Sequence, residues 1–154
     1  MQPNRLVLND GFIKTGLGNF AILLNNSNMI NKDKEVGGDH YSKMKIEPIE
    51  LIEALDLDFI QGCIVKYVSR YKFKNGIEDL RKALHYARIR TTPGYTRPEK
   101  NVSKSEYGAI NMYCESNDIS AEENLIIKFA SRNKFEDCYR CIGLLIDKLE
   151  EKHD

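Results

Sequence analysis

The chain has 154 residues, 42% of them apolar, no tryptophan and a formal net charge of zero, which is the make-up of one ordinary globular domain. No apolar run reaches the roughly 18 residues of a membrane span. The short run Phe20–Leu24 leads into Asn25 and Asn26 and not into a small-residue cleavage site, so the expectation is a soluble cytoplasmic protein without membrane partners. Zero net charge also argues against an extended nucleic-acid surface.

Residues 1–36 show an interrupted apolar pattern (Leu6, Leu8, Phe12, Ile13, then Phe20–Leu24), which reads as an irregular or short β N-terminal extension. Thr15-Gly16-Leu17-Gly18 is a very weak phosphate-loop signature, because the third glycine and a following Gly-Lys-Ser/Thr are both missing. A Gly-Gly turn then leads to Asp39, His40 and Tyr41. From Ile46 to Leu55 the spacing of Ile49, Ile52 and Leu55, with Pro48 in the first turn, predicts a helix. Asp58 is a suitable N-cap for a second helix, Phe59 to about Lys72, and Gly76 separates it from a third, Ile77 to about Arg90. Residues 91–105 contain two prolines, a glycine and several small polar residues, the composition of a linker or mobile loop. Two further helices are expected in 106–154: Ala121 to Arg132, opened by a Ser120/Glu123 capping box, and Phe135 to Lys152.

Residues 64–73 and 126–135 agree at six of ten positions, and each is followed by a turn and another helix. This suggests a duplicated helical hairpin. The expected fold is therefore mainly α, with helical hairpins packed as a small bundle: an extension (1–36), a helical domain (37–90), the linker (91–105) and a C-terminal hairpin (106–154). Hairpins of this size leave apolar stripes that a second copy can cover, so a homo-oligomer is expected.

The four cysteines fit no disulfide framework, and Cys138-x-x-Cys141 has no second pair at zinc-ligand spacing, so no metal site is assigned. The charge distribution carries more information. Residues 62–104 hold eleven Lys or Arg against Glu78, Asp79 and Glu99, a local excess of +8 balanced by −8 elsewhere. A basic segment within an acidic chain suits a phosphate-sized target better than a long polyanion, although a solvated helix face would look the same.

Within this segment Gly62, Lys66 and Arg70 form one stripe of the second helix, and Asp79, Lys82 and Tyr86 one stripe of the third. An antiparallel hairpin would set Lys66 and Arg70 across from Asp79 and Lys82, with Lys72 and Lys74 at the rim. Arg grips phosphate bidentately, Lys adds a point charge, and Gly62 admits either a ligand or a neighbouring helix. Such a cluster can position and neutralise a phosphoryl group without a P-loop. A structural ion-pair network among Arg70, Asp79 and Lys82 remains the alternative. His40 could contact a phosphate and Tyr41 could stack on a base, or both could simply pack.

Four blocks occur in order: Gly38-Asp39-His40-Tyr41, Ile46-Glu47-Pro48-Ile49-Glu50, Gly62 through Lys72, and Gly76 through Tyr86. Together they resemble the tailed-phage SaV-like family, over residues 37–90. That family includes a phage nucleotide kinase that lacks a Walker motif and phosphorylates deoxynucleoside monophosphates. The resemblance implies a cytoplasmic phosphotransferase acting during phage infection, with ATP as phosphoryl donor, nucleotides as partners and Mg as a possible companion. It implies Lys66, Arg70, Asp79 and Lys82 as catalytic, with His40, Tyr41, Gly62, Tyr67, Lys72 and Tyr86 binding the nucleotide, to which the rim position of the hairpin adds Lys74. An all-α nucleotide pyrophosphohydrolase, drawing on Glu50-x-x-Glu53, and a non-catalytic nucleotide-sequestering protein stay open as alternatives.

Overall fold

The computed structural model describes residue 41 and residues 43–152; the N-terminal extension, the Gly16–Gly18 segment and His40 lie outside the described residues. Among the described residues six helices follow one another: α1 (Pro48–Ala54), α2 (Phe59–Arg70), α3 (Ile77–Thr91), α4 (Lys104–Ser116), α5 (Ala121–Ser131) and α6 (Phe135–Glu150), with a 3-10 turn at Tyr71–Phe73 extending α2. None of them is long and apolar enough to cross a membrane.

Local chemistry sets the helix starts. Asp58 accepts from the Gln61 backbone amide while the Gln61 side chain accepts from the Asp58 amide, and Ser103/Glu106 and Ser120/Glu123 repeat the same capping box. Helix α4 was not anticipated from sequence. Gly108 and a run of Tyr, Asn and Cys lower its intrinsic propensity, and tertiary burial of Ala109, Ile110, Tyr113 and Cys114 supplies what propensity does not. Its one local signal was the Ser103-x-x-Glu106 box.

The duplication reaches well beyond the ten echoing residues. Residue numbers differing by 62 share their structural place from the end of α1 through the end of α2. Asp56 (φ 50°) matches Asp118 (φ 53°), each a left-handed residue ending a helix. The Leu57 amide donates to the Ile52 carbonyl, and the Ile119 amide donates to the Cys114 carbonyl. The N-caps Asp58 and Ser120 match, as do the fully buried pairs Ile64/Ile126, Val65/Ile127 and Val68/Ala130. The unit that repeats is thus three helices, α1–α2–α3 and α4–α5–α6, and α1 packs on α4, α2 on α5 and α3 on α6.

The α2–α5 contact is locked at both ends by the same device. Gln61, third residue of α2, donates from Nε2 to the Ala130 carbonyl (2.9 Å) and to Asn133 Oδ1 (2.9 Å) at the end of α5. Glu123, third residue of α5, accepts from the Tyr71 hydroxyl (2.7 Å) and pairs with Lys72 (2.8 Å) at the end of α2. These reciprocal contacts make the two helices antiparallel. They also bury the facing apolar stripes of α2 and α5 within one chain, while Phe59 and Leu125 stay exposed.

The segment between the repeats, residues 92–103, has no helix but is tied down. The Lys100 amide donates to the Arg132 carbonyl, and the Asn133 amide group donates to the Pro98 carbonyl (both 2.9 Å).

Cys138 is fully buried and Cys141 half-buried one turn on, while Cys63 and Cys114 are also buried. Burial pushes the Cys114 thiol up to about 12. A thiol reagent at pH 8 is expected to label Cys141 alone in the native protein and all four cysteines in denaturant. Glu123→Ala, which leaves the Tyr71 hydroxyl unpaired in the core, is expected to cost about 2–3 kcal/mol in urea unfolding. Glu122→Ala, breaking only an exposed pair with Lys148, should cost under about 1 kcal/mol.

Candidate functional site

Because α2 and α3 form an antiparallel hairpin, Arg70 at the end of one meets Asp79 at the start of the other, Nε to Oδ2 at 3.0 Å. Asp79 is completely buried, and its second oxygen accepts from Asn75 Nδ2 (3.1 Å) and Lys82 Nζ (3.4 Å). Burial pushes this carboxyl up, but the bonds from Asn75, Arg70 and Lys82 outweigh it and leave it below the ordinary carboxylate value. Arg70 loses solvation too, yet Asp79 and the Tyr41 hydroxyl, to which its Nη1 donates at 3.1 Å, hold its proton more firmly than usual. With both oxygens engaged, Asp79 is a positioning residue: it fixes Arg70 and Lys82 and does not present itself to a ligand.

The cations gather on one ring. Lys66 Nζ, Arg70 Cζ and Lys82 Nζ lie 4.7, 4.9 and 5.8 Å from the centroid of Tyr67. Tyr67 stacks against Tyr86 at 6.0 Å with planes 16° apart, and Phe59 and His85 each approach Tyr86 edge-on at 5.9 Å. The Tyr86 hydroxyl titrates above its ordinary value, chiefly through Cys63 charge and then burial. A shallow groove of about 450 Å³ opens here, lined by Tyr67, Glu78, Arg81, Lys82, His85 and Tyr86. Among the described residues Lys66 has no carboxylate partner, and Asp79 is the only acid paired with Arg70 and Lys82, so the cluster keeps an excess of two positive charges.

The structure therefore brings Tyr41, Lys66, Tyr67, Arg70, Asp79, Lys82 and Tyr86 together. Three other sequence-selected residues lie elsewhere. Lys72 pairs with Glu123 in the α2–α5 contact, because two residues beyond Arg70 it faces away from the Lys66/Arg70 stripe. Lys74 is exposed in the turn. Gly62 faces α1, where a Cβ would meet the Ile52 side chain at 3.4 Å, so the neighbour it admits is a helix and not the groove. The groove also holds Glu78, together with Arg81 and His85, which the sequence reading had not selected. Their signal was present: with Lys82 they occupy positions i, i+3, i+4 and i+7 of one polar stripe on α3.

The second repeat keeps some of this set. Lys128 and Arg132 stand where Lys66 and Arg70 stand, but Phe129 replaces Tyr67. Arg132 is at the far end of an antiparallel pair of about 18 Å, so it cannot complete the α2–α3 cleft as half of a composite site.

The family whose sequence model matches, over residues 36–88, is described as a protein of unknown function, DUF3310. The match spans the first three-helix repeat and ends within α3. No curated protein and no solved structure matches the chain.

Asp79→Asn leaves Arg70 buried beside a neutral partner and is expected to destabilise the fold by about 3–5 kcal/mol at pH 7. A carboxyl lowered on folding contributes above its unfolded value near 3.9 and loses that contribution as pH falls through its folded value. The stability gap between wild type and Asp79→Asn, read by urea unfolding, should therefore narrow steadily from pH 5 toward pH 2.

Proposed function

We propose that the α2–α3 cleft binds the phosphate end of a nucleotide, and that the protein is a P-loop-free kinase transferring a phosphoryl group from ATP to a deoxynucleoside monophosphate. The observation that carries this reading is the convergence of Lys66, Arg70 and Lys82 on the Tyr67 ring around a single buried carboxylate. An excess of two positive charges complements a phosphate dianion. The aromatic row of Tyr67, Tyr86 and Phe59 gives the sugar and base an apolar floor next to it.

In the reaction, an oxygen of the acceptor monophosphate attacks the γ-phosphorus of ATP, the bond to the β-phosphate oxygen breaks, and ADP departs with that electron pair. The chain's own contribution is to hold the acceptor dianion with Lys66, Arg70 and Lys82 and to neutralise charge spread over the transferring oxygens. Arg70 is rigid because Asp79 and Tyr41 hold it, whereas Lys66 and Lys82 are partly exposed and can follow the moving charge. Among the described residues no three His, Cys, Asp or Glu side chains come together to hold a metal ion.

The carboxylate arrangement disfavours pyrophosphohydrolysis through Glu50-x-x-Glu53. Glu50 is buried and accepts from the Glu47 amide at 2.6 Å as part of the α1 cap.

The test is anion-exchange separation of nucleotides after the protein is mixed with ATP and each deoxynucleoside monophosphate, with each triphosphate alone in parallel. Formation of a deoxynucleoside diphosphate together with ADP is expected, reduced at least about 100-fold in Lys66→Ala. Lys66 is the informative position because its removal breaks no ion pair, unlike Arg70→Ala. Pyrophosphate released from a triphosphate alone would contradict the kinase, as would full activity in Lys66→Ala. Binding without turnover would make the protein a nucleotide-sequestering one.

A further inference from the structure

The duplication gives the basic end of α2 a counterpart at the end of α5, and the counterpart has acquired a different carboxylate. Asp137 is the third residue of α6, as Asp79 is the third residue of α3. The α5–α6 turn is shorter, however: Phe135 follows Arg132 by three residues, whereas Ile77 follows Arg70 by seven. Asp137 pairs with Arg140 at 3.5 Å and leaves Arg132 to another partner. That partner is Glu99, from the segment joining the repeats. Arg132 Nη2 and Lys134 Nζ converge on the same Glu99 oxygen, at 2.5 and 3.5 Å. The flanking backbone bonds, from the Lys100 amide to the Arg132 carbonyl and from Asn133 to the Pro98 carbonyl, deliver the carboxylate to that spot. One turn back on α5 stands Lys128, its Nζ 5.8 Å from the Tyr107 ring and without a carboxylate partner among the described residues.

Lys128 and Arg132 thus hold the helix positions that Lys66 and Arg70 hold in the cleft, joined here by Lys134, and a carboxylate from a non-helical segment sits on two of these cations. The Arg132–Glu99 pair is exposed, with side chains 30% and 49% accessible, so it is a weak bond that water already screens. A phosphate dianion carries about twice the charge of a carboxylate and can engage a guanidinium through two oxygens. We propose that Arg132, Lys134 and Lys128 form a second phosphate site, which Glu99 fills as an internal stand-in for the ligand. Phosphate and the 92–103 segment then compete for the same cations, and occupancy by phosphate removes one of the ties that hold this segment on α5. The site lies at the opposite end of the α2–α5 pair from Arg70, and it does not require the cleft to bind anything.

Inorganic phosphate is the probe, titrated calorimetrically into the full chain as wild type, Glu99→Gln, Glu99→Gln/Arg132→Ala and Glu99→Gln/Lys66→Ala. Glu99 and Arg132 are surface residues outside the helical core, so these variants are expected to fold. Removing the competing carboxylate should raise phosphate affinity at one site by about three- to fivefold, the worth of an exposed pair. Arg132→Ala should abolish that gain and Lys66→Ala should leave it intact. In wild type, phosphate should also speed tryptic cleavage after Lys100, an acceleration absent in Arg132→Ala. Unchanged affinity in Glu99→Gln would overturn the proposal, as would a gain that survives Arg132→Ala. A gain lost with Lys66→Ala would assign the phosphate to the α2–α3 cleft instead and equally overturn it. Failure of the cleft reading would show separately, as loss of the Lys66 dependence of nucleotide binding with the Arg132-dependent gain retained.

Discussion

Helices α2 and α5 run antiparallel because the third residue of each reaches across to the last turn of the other, Gln61 to Ala130 and Asn133, and Glu123 to Tyr71 and Lys72. A side chain that caps its own helix and ties off its neighbour satisfies groups that would otherwise be buried unpaired. The two uses are inseparable: Gln61 serves the Asp58 amide with its oxygen and the end of α5 with its nitrogen. Once this pair is set, α3 and α6 can only close the bundle by packing on each other. Everything outside it follows, including which ends of the helices carry the exposed cations.

The same constraint separates the roles of the two repeats. Arg70 and Arg132 occupy equivalent places but stand at opposite ends of the antiparallel pair. In the first repeat the turn after α2 is long enough to bring a fully buried aspartate under Arg70, and the arginine becomes a rigid, desolvated cation beside an aromatic floor. In the second the turn is shorter, the aspartate stays at the surface, and Arg132 bonds to a partly solvated glutamate from the connecting segment. One fold therefore presents two kinds of basic site, one preorganised by burial and one held by an exposed pair. Burial is what makes the first the stronger candidate for chemistry, since fixed charges in a water-poor setting act on a developing charge without reorganising.

Much of this could be read from residues alone where local chemistry decides the outcome. Asp58 with Gln61, Ser120 with Glu123, and Gly76 with its positive φ mark helix ends through bonds made within four residues. The meeting of Arg70 and Asp79 followed from a hairpin and needed no more. What could not be read was tertiary. Lys72 was expected at the rim of the cleft, but two residues beyond Arg70 it points to the other side of the helix end, toward Glu123 of α5. Helix α4, with Gly108 inside it, is held by burial of Tyr113, whose hydroxyl donates to Ser69 at 2.7 Å. The full length of the repeat was hidden for a related reason. Backbone geometry at Leu57/Ile119 and core burial at Val68/Ala130 are kept while the residues themselves differ.

A nucleotide phosphate lodged where Lys66, Arg70 and Lys82 surround Tyr67, as proposed, would be reported directly by the tyrosine rings. Ring-labelled tyrosine resonances, assigned by single Tyr→Phe substitutions, would be followed while a deoxynucleoside monophosphate is added. The account predicts that the Tyr67 and Tyr86 signals move together and saturate, while Tyr113, enclosed in the core, stays in place. Saturating nucleotide that leaves Tyr67 and Tyr86 unmoved would contradict it.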